Sequence, residues 1–498
     1  MSDNYVDLED IQGFLIRGYN FRHIKYVVLN IKNAHGARAF CAGLLPGSGA
    51  PLSITNAEAW PGNNKPEYCL NIGFTYYGLE ELITKPRCTE VWGKSYELFN
   101  LYKNGAADAN NCQQIGDTDA SAPVNWWLNS GGWLLDTLPD PKGKDLHIQL
   151  TLFAKDPADR DFYYEKLLSM IPMADGEPSL IPAFVKDSDP VAEDPDVIHF
   201  GYKDSISQPR LDNVPVMSVS ETTLPDDRIP VPAYRFIING TEPVAPVYNA
   251  HGLLKNGTFA AFRLLFQDVK KFNTFLTSDP NTPPDLAAAK MCGRWLNGNP
   301  LVVSPHSEDP LPGNDNNNFN YIEPSDHQKG PKADDDLGAL CPYAAHIRRS
   351  NPRDDSSVKG NDSHNMPLQT HRVLRRATPY GPPYVAGEPD GIQRGLIGLF
   401  IGAKLTDQFQ FIMSQWIESG GFRNPDTSPN HSGIDPLFGQ QIRDMDPNHA
   451  EFDYRKSDGT YERMTGLTRF IRTDGSMYLF LPGIKGLEWI SKGLIPTT

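Results

Sequence analysis

Leu146-His-Ile-Gln-Leu-Thr-Leu-Phe153 has the alternating pattern of a β-strand, and a stretch with helical spacing begins directly after it at Asp156. Apolar residues at Tyr163, Leu167 and Ile171 recur at the period of an α-helix. Asp156 is a polar residue of the kind that begins helices. This segment therefore predicts one strand followed by one amphipathic helix.

Three further segments repeat this strand-and-helix unit, at residues 24–31, 257–265 and 396–401. Two units towards each end of the chain predict two similar α+β domains, because strands with long helical connections build sheet-and-helix layers. A doubly wound fold of βαβ units is the alternative, although the sequence has neither GxGxxG nor GxxxxGK[ST]. The proline-rich stretch 211–232 is the predicted boundary between the domains.

Length and composition narrow the class of protein. The 498 residues are too many for one ordinary core, and 39% hydrophobic residues are enough to build two. A net charge of −15 repels nucleic acid and anionic membranes, so neither is an expected partner. The six cysteines form no CxxC pair and no zinc motif. The sequence shows no signal-peptide pattern and no apolar run of about 18 residues, which predicts a cytoplasmic protein.

Three short segments carry residues with chemical potential. In Cys341-Pro-Tyr-Ala-Ala-His346-Ile-Arg-Arg-Ser-Asn-Pro-Arg353, two alanines leave room for a flat group beside an imidazole, which is a good ligand for iron. The arginines that follow suit an anionic group such as a carboxylate. The other two segments are Phe200-Gly-Tyr-Lys-Asp204-Ser-Ile-Ser-Gln-Pro209 and Val373-Leu-Arg375-Arg376-Ala-Thr-Pro-Tyr380. Taken singly, each is compatible with a turn, a surface pair or a core histidine.

In their order along the chain, the three segments resemble the dye-decolorizing peroxidases. That family has Gly-Phe-x-Asp-Gly-Ile-Ser-Gln-Pro where this chain has residues 201–209, with Ser205 in place of the last glycine. It also has two arginines before a Pro-Tyr/Phe-Gly turn, and a haem-binding histidine in a segment similar to 341–353. Further similar segments extend the resemblance over about residues 10–420; they are Asp10–Gly13, Leu70–Leu79, Gly293–Pro300 and Arg394–Trp416.

The resemblance implies two ferredoxin-like domains of the dimeric α+β barrel type, with antiparallel sheets and helices packed outside. We expect residues 1–220 to carry the Asp204 loop and residues 221–498 to carry the haem histidine and the arginine. It further implies haem b as cofactor, hydrogen peroxide as oxidant, and small organic reductants such as dyes and phenols. The oligomeric state is left open.

The resemblance also implies a role for each site residue. His346 would bind the haem iron, Asp204 would move a proton between the peroxide oxygens, and Arg375 would stabilise negative charge as the O–O bond breaks. Arg376 is the alternative to Arg375, since adjacent strand residues face opposite ways, and Arg376 and Leu396 are expected to contact the cofactor. A carboxylate should accept a hydrogen bond from His346; the candidates are Asp326, Glu323 and Asp334 to Asp336.

Two departures from the family pattern lead to further expectations. Ser205 limits the backbone at a position where glycine tolerates positive φ. Without gaps in the alignment, Gly398 replaces a phenylalanine over the haem, which predicts a wider cavity. A base held ionised beside an arginine predicts activity that persists or peaks below neutral pH. A haem-handling protein with little turnover is the first alternative, and a non-haem binding module is the second.

Overall fold

The structure is a computed structural model. It describes residues 6–60, 64–83, 96–137, 140, 142–212, 214, 230–238, 252–309, 311, 316–322, 335–358, 360, 371–389, 391–422, 432–440, 450–456 and 459–494.

Eight strands form one sheet in the order β6-β1-β3-β2-β12-β7-β9-β8. The strand bounds are β1 His23–Ile31, β2 Tyr68–Phe74, β3 Ile148–Ala154, β4 Met173–Ala174, β5 Glu177–Pro178, β6 Leu180–Ser188, β7 Thr258–Gln267, β8 Leu374–Tyr380, β9 Gly395–Gly402, β10 Phe452–Arg455, β11 Tyr461–Met464 and β12 Ile471–Leu481. The short strands β4 and β5 pair with each other, as do β10 and β11.

The sheet is an internal repeat. Each half of the chain contributes four strands to the large sheet. If the strands of the first half are numbered in chain order, they lie side by side in the order fourth, first, third, second. The strands of the second half lie in the same order. Every strand pair in it is antiparallel. The prediction of two ferredoxin-like α+β units is therefore confirmed, and the doubly wound alternative is wrong. The predicted division between residues 220 and 221 lies outside the described residues, so the domain limits stay a prediction.

The central strands of the sheet are buried, and this burial accounts for their residue composition. All seven residues of β3 and all ten of β7 are buried. Both faces of these strands are therefore covered, and the alternation in β3 places apolar residues on one face and the buried polar residues Gln149 and Thr151 on the other. The two halves meet at β2 and β12, where Phe74 pairs with Phe480. Side chains also join the outer strands β6 and β8, because Ser188 Oγ donates to the Pro379 carbonyl over 2.6 Å. The two edge strands of the sheet, β6 and β8, are thus connected to each other.

Helices cover the sheet. Their bounds are α1 Ala34–Gly43, α2 Tyr76–Leu82, α3 Tyr96–Asn104, α4 Ala109–Gln114, α5 Pro157–Ser169, α6 Val269–Leu276, α7 Pro284–Cys292, α8 His346–Ser350 and α9 Ile484–Ser491, with π-helical segments at Thr406–Gln410 and Ile412–Ile417. None of the described helices combines the length and the apolar composition that crossing a membrane requires.

The predicted helix starts are confirmed, two of them with a side-chain cap. The Asp156 and Asp268 side chains accept hydrogen bonds from the amides of Asp159 and Lys271, three residues on, as N-cap residues do. The helix after β9 also begins at Thr406, where Thr406 or Asp407 is the polar entry residue, but no side-chain cap is present there. That helix has π-type bonds instead, such as the one from the Gln410 amide to the Leu405 carbonyl at 2.8 Å, a geometry that occurs often at functional sites.

Candidate active site

An internal cavity lies against the second half of the sheet. It contains about 1560 Å³ of space not filled by protein atoms, including the part open to solvent. Its wall is formed by β7, β8, β9, the π-helical segment and the loop that carries Asp204. His346, Asp204, Arg375 and Leu396, which the sequence predicts as site residues, all line this cavity.

His346 is the first residue of α8, and its imidazole is held by a carboxylate. Asp435 Oδ2 lies 2.7 Å from His346 Nδ1, while Asp435 Oδ1 accepts hydrogen bonds from the backbone amides of Leu437 and Phe438, each at 2.9 Å. Burial lowers the pKa of His346, but the Asp435 carboxylate and its hydrogen bond together raise it by more. The pKa of His346 is therefore above its ordinary value. With Nδ1 donating to Asp435, the lone pair of Nε2 is left for a ligand.

The predicted partner of His346 is therefore wrong. Asp336 does not bond the imidazole, and Asp326, Glu323 and Asp334 lie outside the described residues. Asp335 instead accepts a hydrogen bond from Arg348 over 2.8 Å. Asp435 is 89 positions away in sequence, and no local pattern links it to His346.

The arginines directly after His346 do not face the cavity, contrary to the expectation that they serve an anionic ligand. Arg348 is fully buried and bridges two carboxylates at 2.8 Å, those of Asp335 and Asp355. Arg349 is fully buried and donates to backbone carbonyls, including those of Ser419 and Gly433. Burying such charges is favourable only with complete pairing. Arg348 therefore belongs to a buried ion-pair network and Arg349 contacts backbone carbonyls, so neither is directed at a ligand in the cavity.

Asp204 and Arg375 lie side by side. Asp204 Oδ1 and Arg375 Nη1 are 3.4 Å apart, and both side chains are about one-third exposed, at 29% and 34%. Arg375 Nη2 also donates to the Ile206 carbonyl over 2.5 Å. The pair is thus held in place by the loop and still accessible to a small molecule in the cavity.

The loop after Asp204 has a strained backbone. Ser205 has φ of +64° and Ser207 has φ of +65°, in the left-handed region that side chains other than glycine rarely adopt. The sequence expectation for Ser205 was that serine would restrict this turn. The structure shows serine in the conformation that glycine would favour.

Gln208 fixes the same loop to β8. Its Oε1 accepts a hydrogen bond from the Arg375 backbone amide at 3.1 Å, and its Nε2 donates to the Arg375 carbonyl at 3.2 Å. The side-chain amide thus pairs with Arg375 as a residue of a neighbouring strand would. Sequence reasoning noted Gln208 as part of a motif but assigned it no role.

Arg376 lies on the other face of β8, outside this cavity. Arg375 and Ala377 line the cavity with His346, whereas Arg376 does not and lines only a second, neighbouring cavity, as expected for successive residues of a strand. Arg376 Nε donates to the Phe14 carbonyl over 2.7 Å. The expectation that Arg376 contacts the cofactor has no support in this placement.

The expected wide space at Gly398 is absent. A Cβ at Gly398 would lie 2.2 Å from the Arg376 carbonyl oxygen, so the neighbouring strand already covers this position. The cavity is lined instead by Leu396 and Phe400, which share the face of β9 with Gly398. Phe400 is an aromatic lining residue that an ungapped alignment places two residues out of register.

The donor set of the cavity fits an iron porphyrin. Nε2 of His346 has no hydrogen-bond partner among the described residues, and neutral imidazole is a common axial ligand. Apolar side chains such as Leu396, Phe400 and Met413 line the cavity and would pack against the macrocycle. Arg353 and Arg372 also line the cavity, where they would face the acidic groups of the porphyrin. One imidazole, apolar walls and nearby cations are what such a group requires.

The fold and this site define a class of two-unit α+β proteins with a large apolar cavity and one imidazole for a metal-bearing cofactor. No family model matches the chain. A dye-decolorizing peroxidase of Mycena epipterygia is 26% identical over 518 residues, covering 98% of this chain and 88% of that protein. Dye-decolorizing peroxidase AauDyP1 of Auricularia auricula-judae is 29% identical over 314 residues, covering 58% of this chain and 55% of that protein.

Solved structures agree on the fold. A dye-decolorizing peroxidase in complex with 2,6-dimethoxyphenol superposes with a TM-score of 0.71 at 22% identity, covering 98% of this chain and 100% of that one. The relatives and the structural neighbours of this chain are dye-decolorizing peroxidases, which are oxidoreductases that act on peroxide, and they cover most of the chain. The resemblance stated from the sequence is confirmed.

Proposed function

We propose that this chain is a haem b peroxidase that reduces hydrogen peroxide and oxidises small organic reductants such as dyes and phenols. The observation that carries the proposal is that His346, Asp204 and Arg375, from three separate segments, line one cavity. Haem, when bound, would supply the iron at which peroxide is reduced and through which electrons from the reductant pass.

We assign each of these residues one task. Asp204 takes a proton from the inner oxygen of peroxide and returns it to the outer oxygen, a transfer that a carboxylate within hydrogen-bond reach can perform. Arg375 donates to the oxygen atoms as negative charge develops, and its contact with the Ile206 carbonyl keeps it aimed there. His346 holds the cofactor through Nε2, and Asp435 orients the ring and makes it more electron-rich.

Steady-state oxidation of 2,6-dimethoxyphenol with peroxide tests the roles of Asp204 and Arg375. Asp204→Asn and Arg375→Leu should each keep the Soret absorbance and lower kcat/KM for peroxide by about 10²–10⁴. Asp194→Asn is the matched control, because Asp194 pairs with Lys203 at 3.0 Å and does not line the cavity. Unchanged turnover in Asp204→Asn would refute the acid–base assignment.

The absorbance spectrum separates this proposal from the alternatives. A pyridine haemochrome spectrum of the purified protein should identify haem b, and His346→Ala should reduce haem retention. A Soret band with negligible dye oxidation would favour a haem-handling protein. A protein that neither contains nor takes up haem would exclude both haem functions.

A further inference from the structure

A second cavity lies along residues 375–378 of β8. This Arg376 cavity, lined by Phe21, Tyr26, Phe153, Arg376 and Thr378 among others, contains about 1280 Å³ of space not filled by protein atoms, including its solvent-open part. It shares wall residues with the active-site cavity; the shared residues are Lys203, Asp204, Ile206, Arg375 and Ala377. The two cavities are therefore neighbours, and the Asp204–Arg375 pair belongs to both walls.

Arg376 differs from the other cations in this wall. Those others are each paired with an aspartate: Arg22 with Asp196 at 2.9 Å, Lys203 with Asp194 at 3.0 Å and Arg375 with Asp204 at 3.4 Å. Arg376 contacts only backbone carbonyls, those of Phe14 at 2.7 Å and Arg375 at 3.2 Å. Among the described residues, no carboxylate forms an ion pair with it. The cavity wall thus carries one positive charge that the described aspartates leave uncompensated.

This charge is held at a cost that an anion would relieve. Burial lowers the pKa of Arg376 to about 10 against a weaker opposing effect of Tyr19, and the neighbouring Arg375 adds a still smaller lowering effect. A cation taken out of water without a counter-ion is unfavourable. A guanidinium presents its donors in a planar fork that matches a carboxylate. The group that would best compensate Arg376 is therefore a carboxylate.

One part of the remaining wall, among polar residues such as Asn20 and Asn316, suits a flat apolar body. Phe21, Ile24, Tyr26 and Phe153 all line the Arg376 cavity. Aromatic rings pack favourably against such side chains in offset or edge-on arrangements. A molecule with an aromatic ring and one carboxylate would satisfy both parts of the wall.

We propose that the Arg376 cavity binds small aromatic carboxylates, such as hydroxycinnamates, as reductants of this enzyme. The carboxylate pairs with the Arg376 guanidinium, and the ring lies against the apolar wall beside the Asp204–Arg375 pair. This inference rests on the proposed peroxidase function and names a substrate class for it. In the balanced reaction, two phenolic molecules each give up one electron and the hydroxyl proton, and one hydrogen peroxide takes up both electrons and both protons to form two waters.

Equilibrium binding tests the carboxylate preference without turnover. Isothermal titration of the holoprotein, with no peroxide present, compares benzoate with its neutral analogue benzamide. Wild type should bind benzoate about tenfold or more tightly than benzamide, because a charge-assisted hydrogen bond contributes about 1.5–3 kcal/mol. Arg376→Gln should abolish the preference, and Arg376→Lys should keep part of it.

Three results would overturn the inference. One is equal affinity of wild type for the two probes, and another is a preference that survives in Arg376→Gln. The third is a preference lost in Arg375→Gln but kept in Arg376→Gln, which would place the anion in the active-site cavity. Circular dichroism and the Soret band check that each variant is folded and loaded.

Substrate selectivity gives the second readout. The ratio of kcat/KM for 4-hydroxycinnamate to that for its neutral methyl ester should fall about tenfold in Arg376→Gln, through KM of the carboxylate. An unchanged ratio contradicts the inference while leaving the peroxidase proposal intact. Absence of turnover with every reductant, together with an intact benzoate preference, would instead contradict the peroxidase proposal alone.

Discussion

The carboxylate of Asp435 is the residue on which the geometry of His346 most depends. One oxygen accepts two backbone amides and the other faces the imidazole. Because the backbone fixes the carboxylate, the carboxylate in turn fixes the tautomer and the rotation of the ring. This arrangement makes Asp435 a positioning residue for the cofactor.

Asp435→Asn should weaken the hold on haem. The amide keeps an acceptor for the backbone, but its NH₂ group cannot accept the proton of His346 Nδ1. Loss of such a partner typically lowers metal affinity or activity about 10–100-fold. The rate of haem transfer to apomyoglobin measures the effect, and Asp336→Asn is the control, since Asp336 does not bond the imidazole. Equal rates for the two variants would contradict the role of Asp435.

Ser205→Gly should stabilise the protein. Left-handed φ costs a non-glycine residue about 1–2 kcal/mol, and the extra freedom of glycine in the unfolded chain returns about 0.5–1 kcal/mol of this. We therefore expect a gain of about 0.5–1 kcal/mol in unfolding free energy, measured by denaturant titration. Ser207→Gly is the contrast, because the Ser207 hydroxyl also lies 3.4 Å from Asn351 and from Arg353. A loss of stability in Ser205→Gly would show that the serine side chain has an unrecognised contact.

Residues within one motif could be found from the sequence, and residues joined only by folding could not. His346, Asp204 and Arg375 each sit in a short segment with its own pattern. Asp435 has no such pattern and comes from a distant loop. The placement of Arg376 outside the cavity of His346 could not be foreseen, because the face that a strand residue occupies depends on register, which the sequence does not specify. Their chemical roles at the site stay predictions.

At the scale of elements, the side chain of Gln208 acts as an extension of the sheet. The strand β8 lies at one end of the strand order, and the backbone groups of Arg375 that face the loop are paired with the Gln208 amide. The loop that carries Asp204 is thereby held against the strand that carries Arg375. The distance between Asp204 and Arg375 thus depends on a third residue.

Gln208→Glu should loosen this connection. The carboxylate still accepts from the Arg375 amide but cannot donate to its carbonyl, which keeps only the 3.2 Å hydrogen bond from Arg376 Nη1. Loss of one hydrogen bond costs about 0.5–1.5 kcal/mol. We expect faster hydrogen exchange of the β8 amides and a lower kcat, with KM for the reductant much less affected. Gln410→Glu is the control, since Gln410 makes an exposed bond to Gln114 at 3.1 Å. Unaltered exchange in β8 would contradict the proposed connection.

The sequence predicts where strands and helices lie better than it predicts which strands pair in the sheet. Four strand-and-helix units were recognised from periodicity, and the structure has a strand at each of them. The π-helical bonding after Leu405 was not predicted, because it differs from an α-helix by one residue in the hydrogen-bond step and leaves the apolar spacing almost unchanged. The large strand β12 went unassigned, although it lies in the middle of the sheet.

The stability of the whole molecule should depend on the protonation of buried histidines. Burial lowers the pKa of His199 to about 4, more than its bond to the Tyr380 carbonyl raises it. The unfolded chain, with an ordinary histidine pKa of about 6.5, therefore binds more protons between these two values. The contribution of His199 to stability is present above about pH 6.5 and is lost as the pH falls towards 4, by up to about 3 kcal/mol.

Comparison with His199→Gln isolates this contribution. Glutamine is neutral at every pH and retains an N–H group for the Tyr380 carbonyl, which His199 Nε2 contacts at 2.8 Å. The difference in unfolding free energy between wild type and variant should shift by about 3 kcal/mol against wild type from pH 7 to pH 4. Chemical denaturation across this range measures it. A pH-independent difference would mean that His199 is not kept neutral by burial.

The family and the α+β architecture could be predicted for the molecule as a whole, because motifs spread along the chain occur in a specific order. The domain limits and the cytoplasmic location stay predictions. The contact between the two halves could not be foreseen, since it joins segments with no common pattern. One example is the buried pair of Asp117 and Arg263, which bond over 2.7 Å between Oδ1 and Nη2.

The place of β12 has a consequence for biosynthesis. Its residues 471–481 pair along the full length of β7, at residues 258–267, about two hundred positions earlier. A ribosome must therefore make almost the entire second half before β7 gains that neighbour, whereas the strands of the first half are all available once residue 188 has emerged. Contacts this distant in sequence form slowly. For most of its translation, the nascent chain should therefore carry a complete first unit and a second unit that lacks β12 and cannot yet bind haem.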